Sequence, residues 1–299
     1  MSCSSRLSMA VAAALLLASP PGFSQAEDPA KLKEVRLTDD GRLKRDPVFQ
    51  PDGEHLVYGV DVSTDLIKLL RLNLETNESA PLHSDAPRSE LEPSFSPNGR
   101  YHAYSQNTGN LSLKLVIRDD KEQKNAELVP QGRGGMRSPA FSPDSTLVAY
   151  CFAETGPQHI FLVNPQAKEK RQLTTGRGIN NWPTFTPDGE RIVFSSSRDG
   201  DFEVYSINLA GEDLRRLTES PRQDIRPRVS PDGTRIVFAS SRNGDQEIYV
   251  MDLDGSNLTR LTRNPERDDY PSWSVDGSKV VYVSERRGRF DLYLVEVPR

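Results

Sequence analysis

Six copies of one short motif at near-constant spacing, a β-branched strand after each copy, and a last copy that stops one strand short together predict an all-β fold. The architecture they point to is a single six-bladed β-propeller of four-stranded antiparallel blades. The motif reads Pro, any residue, an apolar residue, usually Ser or Thr, then Pro-Asp-Gly, and it starts at Pro47, Pro93, Pro139, Pro183, Pro227 and Pro271; the ending is Pro-Asn-Gly, Pro-Asp-Ser and Val-Asp-Gly in the second, third and sixth copies. Successive starts lie 46, 46, 44, 44 and 44 residues apart. Helical solenoids would need a 3.6-residue apolar period, and none is present.

The fifth unit shows the strands of one blade in order. Pro227 to Ser230 is expected as a short first strand. Pro231-Asp232-Gly233 is a tight turn: Pro presets φ, Asp bonds its own backbone, and Gly supplies φ > 0. Arg235 to Ser240 is the β-branched second strand, and Ser241-Arg242-Asn243-Gly244 is a loop. Glu247 to Leu253 is the third strand, Asp254-Gly255 a hairpin turn, and Leu258 to Thr262 the fourth strand.

The sixth unit ends after its third strand, Phe290 to Val297. Glu34 to Thr38, ahead of the first unit, repeats the missing fourth strand: its Arg36-Leu37-Thr38 matches Arg216-Leu217-Thr218 and Arg260-Leu261-Thr262. The segment 34–38 is therefore expected to pair with the last blade, closing the ring and removing an open sheet edge.

Ahead of it, residues 1–26 read as a secretory signal peptide. Arg6 is the positive end, Met9 to Ala18 the apolar run, and Ser24-Gln25-Ala26 the small-residue cleavage site. Ten apolar residues are too few to span a bilayer, so no membrane span is expected after cleavage. The expected domains are thus a leader at 1–26 and a propeller at 34–297, in a periplasmic or secreted location. Cys151 is then the sole remaining cysteine; it lies in the apolar run 148–152 and reads as a buried hydrophobe.

Composition narrows the function classes. The 299 residues carry 38 basic and 43 acidic side chains, a net charge of −5, so nucleic acid is not an expected partner. Two cysteines exclude a disulfide scaffold. His55, His83, His102 and His159 form no metal motif or cluster in the sequence; His55 and His102 read as equivalent substitutions on second strands. No G-x-S-x-G elbow, P-loop or dinucleotide fingerprint occurs. Gly132-Arg133-Gly134-Gly135 reads as a plain loop.

Two sets of positions are candidates for binding. Three residues before each anchor proline stand Lys44, Glu90, Met136, Asn180, Asp224 and Asp268; immediately before it stand Asp46, Glu92, Ser138, Trp182, Arg226 and Tyr270. In a propeller both sets are expected around one channel mouth. From them the candidate binding residues are Asp46, Glu90, Glu92, Asn180, Trp182, Asp224, Arg226, Asp268 and Tyr270. Acids, an arginine and two aromatics suit a peptide or protein ligand; the bland alternative is that Asn180, Asp224 and Asp268 cap backbone amides. In units four to six Arg198, Arg242 and Arg286 stand 15 residues past the anchor, with Glu203, Glu247 and Asp291 five further on. An ion pair between each Arg and its following acid, bracing the loop, is the expected role; a ligand-facing one is the alternative.

The Pro-x-(aromatic)-Ser-Pro-Asp-Gly string, the Ser-x-Arg-x-Gly loop and the endings Tyr-Val-Met-Asp-Leu-Asp-Gly and Arg-Leu-Thr resemble the TolB-type propeller repeat, most closely at 192–218 and 236–262. The resemblance spans about residues 34–297. It implies a propeller that binds proteins in the cell envelope, as in the Tol–Pal system, with a Pal-like lipoprotein or a peptide as partner. The family places an α/β domain ahead of its propeller, and the short stretch between residues 26 and 34 is read as leaving no room for one. The expected function is a non-catalytic interaction scaffold, not an enzyme. The alternatives are a propeller hydrolase or lyase acting on carbohydrate or peptide, or a small-ligand sensor. No catalytic residue and no resident cofactor are expected; Ca²⁺ in the central channel is the one ion the resemblance suggests, with no ligand set specified.

Overall fold

Each Pro-Asp-Gly motif turns the chain from the first strand of a sheet into the second. In the fifth unit the Gly233 amide donates to the Ser230 carbonyl at 2.9 Å, with Gly233 at φ +74°. The Ser230 hydroxyl and the Thr234 amide both donate to Asp232, and these bonds hold its carboxyl down at about 2. In the third unit Ser145 replaces the glycine and still adopts φ +61°.

The computed structural model describes residues 32–109, 112–131 and 134–298. The expected leader at 1–26, and the first half of the Gly132–Gly135 loop, lie outside them. Among the described residues there is no helix, and the strands form six four-stranded antiparallel sheets. The blades run over residues 44–81, 90–128, 137–172, 180–216, 224–260 and 268–296. The strand that carries each anchor proline is innermost, and the inner strands of neighbouring blades pack against one another around the ring. The core lies between adjacent sheets: Val237, Ala239 and Ile248 of blade 5 pack with Trp273, Val280 and Tyr282 of blade 6. Because each sheet is covered on both faces, second strands such as Val148–Phe152 are buried at every residue and read as continuous apolar runs.

The ring closes as the sequence predicts. Glu34–Arg36 pairs antiparallel with Arg289–Glu296, with Val35 opposite Leu294. The Leu37 amide continues the ladder to the Leu292 carbonyl at 2.8 Å. Buried Asp291 accepts from Arg36 Nη2 at 2.6 Å, Thr38 Oγ1 at 3.0 Å, the Gly41 amide at 3.2 Å and fully buried Lys44 Nζ at 3.2 Å. Glu34 accepts from Tyr282 and Arg286 at 2.7 Å each. One segment thus ties together the first and last blades.

Three details differ from the expectations. Five of the six inner strands begin three residues before their anchor proline, as in Asp224–Val229, and that of blade 3, Arg137–Phe141, begins two before it; each has a bulge at the proline. Proline has no ladder donor, and a bulge is where a strand tolerates it. The loop arginines do not pair with the acids that follow them. Arg242 Nη2 donates to Asp224 at 2.6 Å, Arg198 Nη2 to Asn180 Oδ1 at 2.8 Å, and Arg286 to Glu34. Glu203, Glu247 and Asp291 are taken by the outer-strand arginines Arg216, Arg260 and Arg36, because the third-strand acid faces its hydrogen-bonded neighbour strand. Finally, His102 is equivalent to Leu56, not to His55: Phe95 pairs His102 as Phe49 pairs Leu56.

Candidate functional site

Asp46, Glu92, Ser138, Trp182, Arg226 and Tyr270 all adopt positive φ, between 49° and 57°. Every one sits at the bulge of an inner strand, such as that between Arg45 and Val48. A bulge adds a residue that the partner strand does not pair, and re-aims its side chain. The left-handed conformation costs each non-glycine residue on the order of 1 kcal/mol. The ring sustains it six times because the flanking ladder leaves no other path. The result brings side chains from different blades to the axis.

There the Arg226 guanidinium lies 4.7 Å from the Trp182 ring centroid and 4.1 Å from that of Tyr270. Its Nη1 contacts Asp269 at 3.2 Å, while its buried Nε has no partner. Burial opposes the Arg226 charge, but Asp269, Tyr270, Asp46 and Glu92 outweigh it and raise its pKa. Burial pushes the Asp46 carboxyl up to about 7, with Glu92 adding to the effect and Arg226 and Arg228 opposing it. Burial lowers the Arg228 pKa, against the pull of Asp46. Glu92 accepts from the Ser138 amide at 2.8 Å and from Ser105 Oγ at 2.9 Å. The cluster sets the acids Asp46, Glu92 and Asp269 against Arg226 and Arg228, both from blade 5, beside two half-buried aromatic faces. It can recognise a ligand that offers both charged and apolar groups, and Asp46 can exchange a proton near neutrality.

The other candidate positions are elsewhere. Lys44, Glu90, Met136, Asn180, Asp224 and Asp268 are buried at 0–4% exposure. Asn180 and Asp224 bind the loop arginines, Asp268 accepts from Asn264 Nδ2 at 2.6 Å, and Glu90 accepts from His83 Nδ1 at 2.8 Å. Arg198, Arg242 and Arg286 lie over Tyr205, Tyr249 and Tyr293 within their own blades. The axial site instead gains Arg228 and Asp269. Arg228 had a signal in the sequence: the residue after each anchor proline is Val48, Ser94, Ala140, Thr184, Arg228 and Ser272, one cation among small or β-branched residues.

The residues do not fit a Ca²⁺ site on the axis. Asp46 and Glu92 share it with two arginines, and among the described residues no group of three or more His, Cys, Asp or Glu is placed to hold a metal. The histidines are less scattered than their sequence positions imply, since His83 and His102 meet with Nε2 atoms 3.0 Å apart.

Against known proteins, the family model described as the TolB beta propeller domain matches residues 77–229. That of the Tricorn protease N-terminal beta propeller domain matches residues 207–297. No curated protein matches. Among solved structures the chain is similar to a putative TolB from Agrobacterium tumefaciens, with 22% identity and a TM-score of 0.71 over 88% of this chain and 93% of that one. It is similar to TolB from Acinetobacter baumannii at 20% identity and a TM-score of 0.66, over 85% of this chain and 63% of that one. An oligogalacturonate lyase in complex with manganese shares 18% identity with a TM-score of 0.63, over 90% of this chain and 94% of that one. Identities this low show the fold alone, which propellers of unlike function share.

Proposed function

This chain belongs to the TolB beta propeller domain family, matched over residues 77–229, and on that premise we propose that it is a non-catalytic binding module of the cell envelope. It is exported by the leader at 1–26, folds as a propeller over 34–297, and works in the periplasm or outside the cell. Its partner is a protein or peptide, with a Pal-like envelope lipoprotein as the leading candidate. The observation that carries the reading is the axial cluster: Arg226 held between Trp182 and Tyr270, beside Asp46, Glu92 and Arg228. Aromatic and arginine side chains in a partly desolvated pocket are the groups that dominate protein recognition. The test is capture of partners from envelope extract, with Trp182→Ala and Arg228→Ala as controls. Each variant should weaken capture at least tenfold; capture that ignores both variants places binding elsewhere.

A second reading is favoured by one feature. The Asp46 carboxyl, which burial pushes up to about 7, can serve in general acid–base chemistry on a carbohydrate or peptide. A glycan and peptide turnover screen separates the readings, since turnover lost in Asp46→Asn would establish the enzyme.

A further inference from the structure

We propose that His83 and His102 form a binding site for one imidazole-seeking divalent cation of the Zn²⁺ or Cu²⁺ class, at the junction of blades 1 and 2 and apart from the axial cluster. His83 lies just beyond the outer strand of blade 1, Ser79–Pro81; His102 is on the second strand of blade 2, Tyr101–Asn107.

The chemistry starts from the far side of each ring. His83 Nδ1 lies 2.8 Å from Glu90 Oε2, and His102 Nδ1 lies 2.7 Å from Asp120 Oδ2. A carboxylate only accepts, so each Nδ1 carries the ring hydrogen. With no further proton on either ring, the two Nε2 lone pairs face the same point, 3.0 Å apart. Two facing lone pairs repel unless a cation sits between them. Histidines that ligate metals are held in this way, with the second nitrogen donating to a carboxylate. With metal–nitrogen bonds of about 2.0–2.1 Å, the separation gives an angle of roughly 95° at the ion, suited to two adjacent ligands. A tetrahedral angle needs only a few tenths of an ångström more, and His83 is partly exposed. The rings border a cavity of about 470 Å³ that also reaches Asp52, Arg71, Arg118 and Asp120. Among the described residues no third His, Cys, Asp or Glu completes a ligand set, so water takes the remaining positions.

The repeats supply a second, independent observation. The position of His102 is held in the other blades by Leu56, Val148, Ile192, Ile236 and Val280, all at 0% exposure. The position of His83 is held in blades 4 and 5 by Thr218 and Thr262, which bond the acids Glu203 and Glu247. Blade 2 thus carries an imidazole where the others carry core aliphatics, facing a second imidazole that replaces a threonine. The bound ion would pin the segment after blade 1 onto blade 2.

The experiment uses the untagged full chain. Zn²⁺ titrated by calorimetry should bind once per chain and raise the melting midpoint by several degrees, while Ca²⁺ should do neither. Cu²⁺ should show nitrogen hyperfine coupling in its electron paramagnetic resonance spectrum. His83→Ala, at the partly exposed ring, should weaken Zn²⁺ binding at least tenfold with circular dichroism unchanged; His55→Asn should bind as the parent does. Absence of a Zn²⁺-dependent shift, or equal binding by His83→Ala, overturns the proposal and leaves the 3.0 Å contact as a hydrogen bond sharing one proton.

Discussion

Replacing Asp291 by alanine tests the closure of the ring at its most concentrated point. Asp291 receives Arg36, Thr38 and the Gly41 amide from the N-terminal segment, and Lys44 from the inner strand of blade 1. The substitution removes all four bonds. It also strands the Lys44 ammonium, which is fully buried and keeps only Asp40 and the carbonyls of Arg42 and Phe290. Breaking a buried charge pair from one side costs about 3–5 kcal/mol. At about 2–4 °C per kcal/mol for a chain somewhat smaller than this one, the melting midpoint should fall by roughly 6–20 °C. The control is Glu203→Ala in blade 4, which removes the corresponding bonds from Arg216, Thr218 and the Ser220 amide. Glu203 is a less favourable carboxylate: burial raises its pKa, and the charge of Asp224 adds to the rise. It joins parts of one continuous blade, so its loss should be smaller. Calorimetric melts of both variants decide the matter. An Asp291→Ala midpoint within about 2 °C of the parent, or an equal loss in Glu203→Ala, would refute the argument. Deleting residues 34–38 should act in the same direction and at least as strongly.

Burial raises the Asp268 carboxyl to about 7, against bonds from Ser284, Asn264 and Thr262. The folded state therefore keeps a proton that the unfolded chain releases near pH 4, so this group's contribution is full below about pH 4 and lost as pH rises through about 7. Denaturant midpoints from pH 5 to 8 should fall with pH, less steeply in Asp268→Asn; an unchanged slope contradicts the assignment. Gly255 has φ +92°, and an added Cβ would lie 2.5 Å from the Leu217 carbonyl oxygen. Gly255→Ala should cost about 1–3 kcal/mol in a denaturant melt, and more than Gly244→Ala, whose Cβ would meet nothing within 4 Å. Cys151 is fully buried, and that burial pushes its thiol pKa up. A thiol reagent should leave the native protein unmodified and react once denaturant unfolds it.

Much of the fold was legible because its punctuation is chemical. Pro-Asp-Gly and Asp-Gly turns carry their own backbone requirements, so Arg235–Ser240 emerges where the sequence places it. The inner strands were harder. Asp224–Val229 contains Pro227, which interrupts the expected ladder and hides the three residues ahead of it. The bulge there shifts the register, so Asp224 is sealed inside a blade while Arg226 turns to the axis. A strict alternation would not separate the two sets in this way. Charged side chains such as Asp268 and Glu90 are also poor guides, because a residue type that is usually exposed is buried here by the sheet beside it.

The sequence by itself determined the blade number, the turns, and the completion of the last blade by the segment at 34–38. Those features depend on local conformation and on repetition, both of which are written along the chain. Only the tertiary structure decided which polar residues reach the axis, which arginine meets which acid, and that His83 and His102 face each other across a blade junction. Those outcomes depend on the strand bulges and on the packing of neighbouring sheets, which set side-chain direction in space; residue spacing marks the recurring positions but not which of them turn inward.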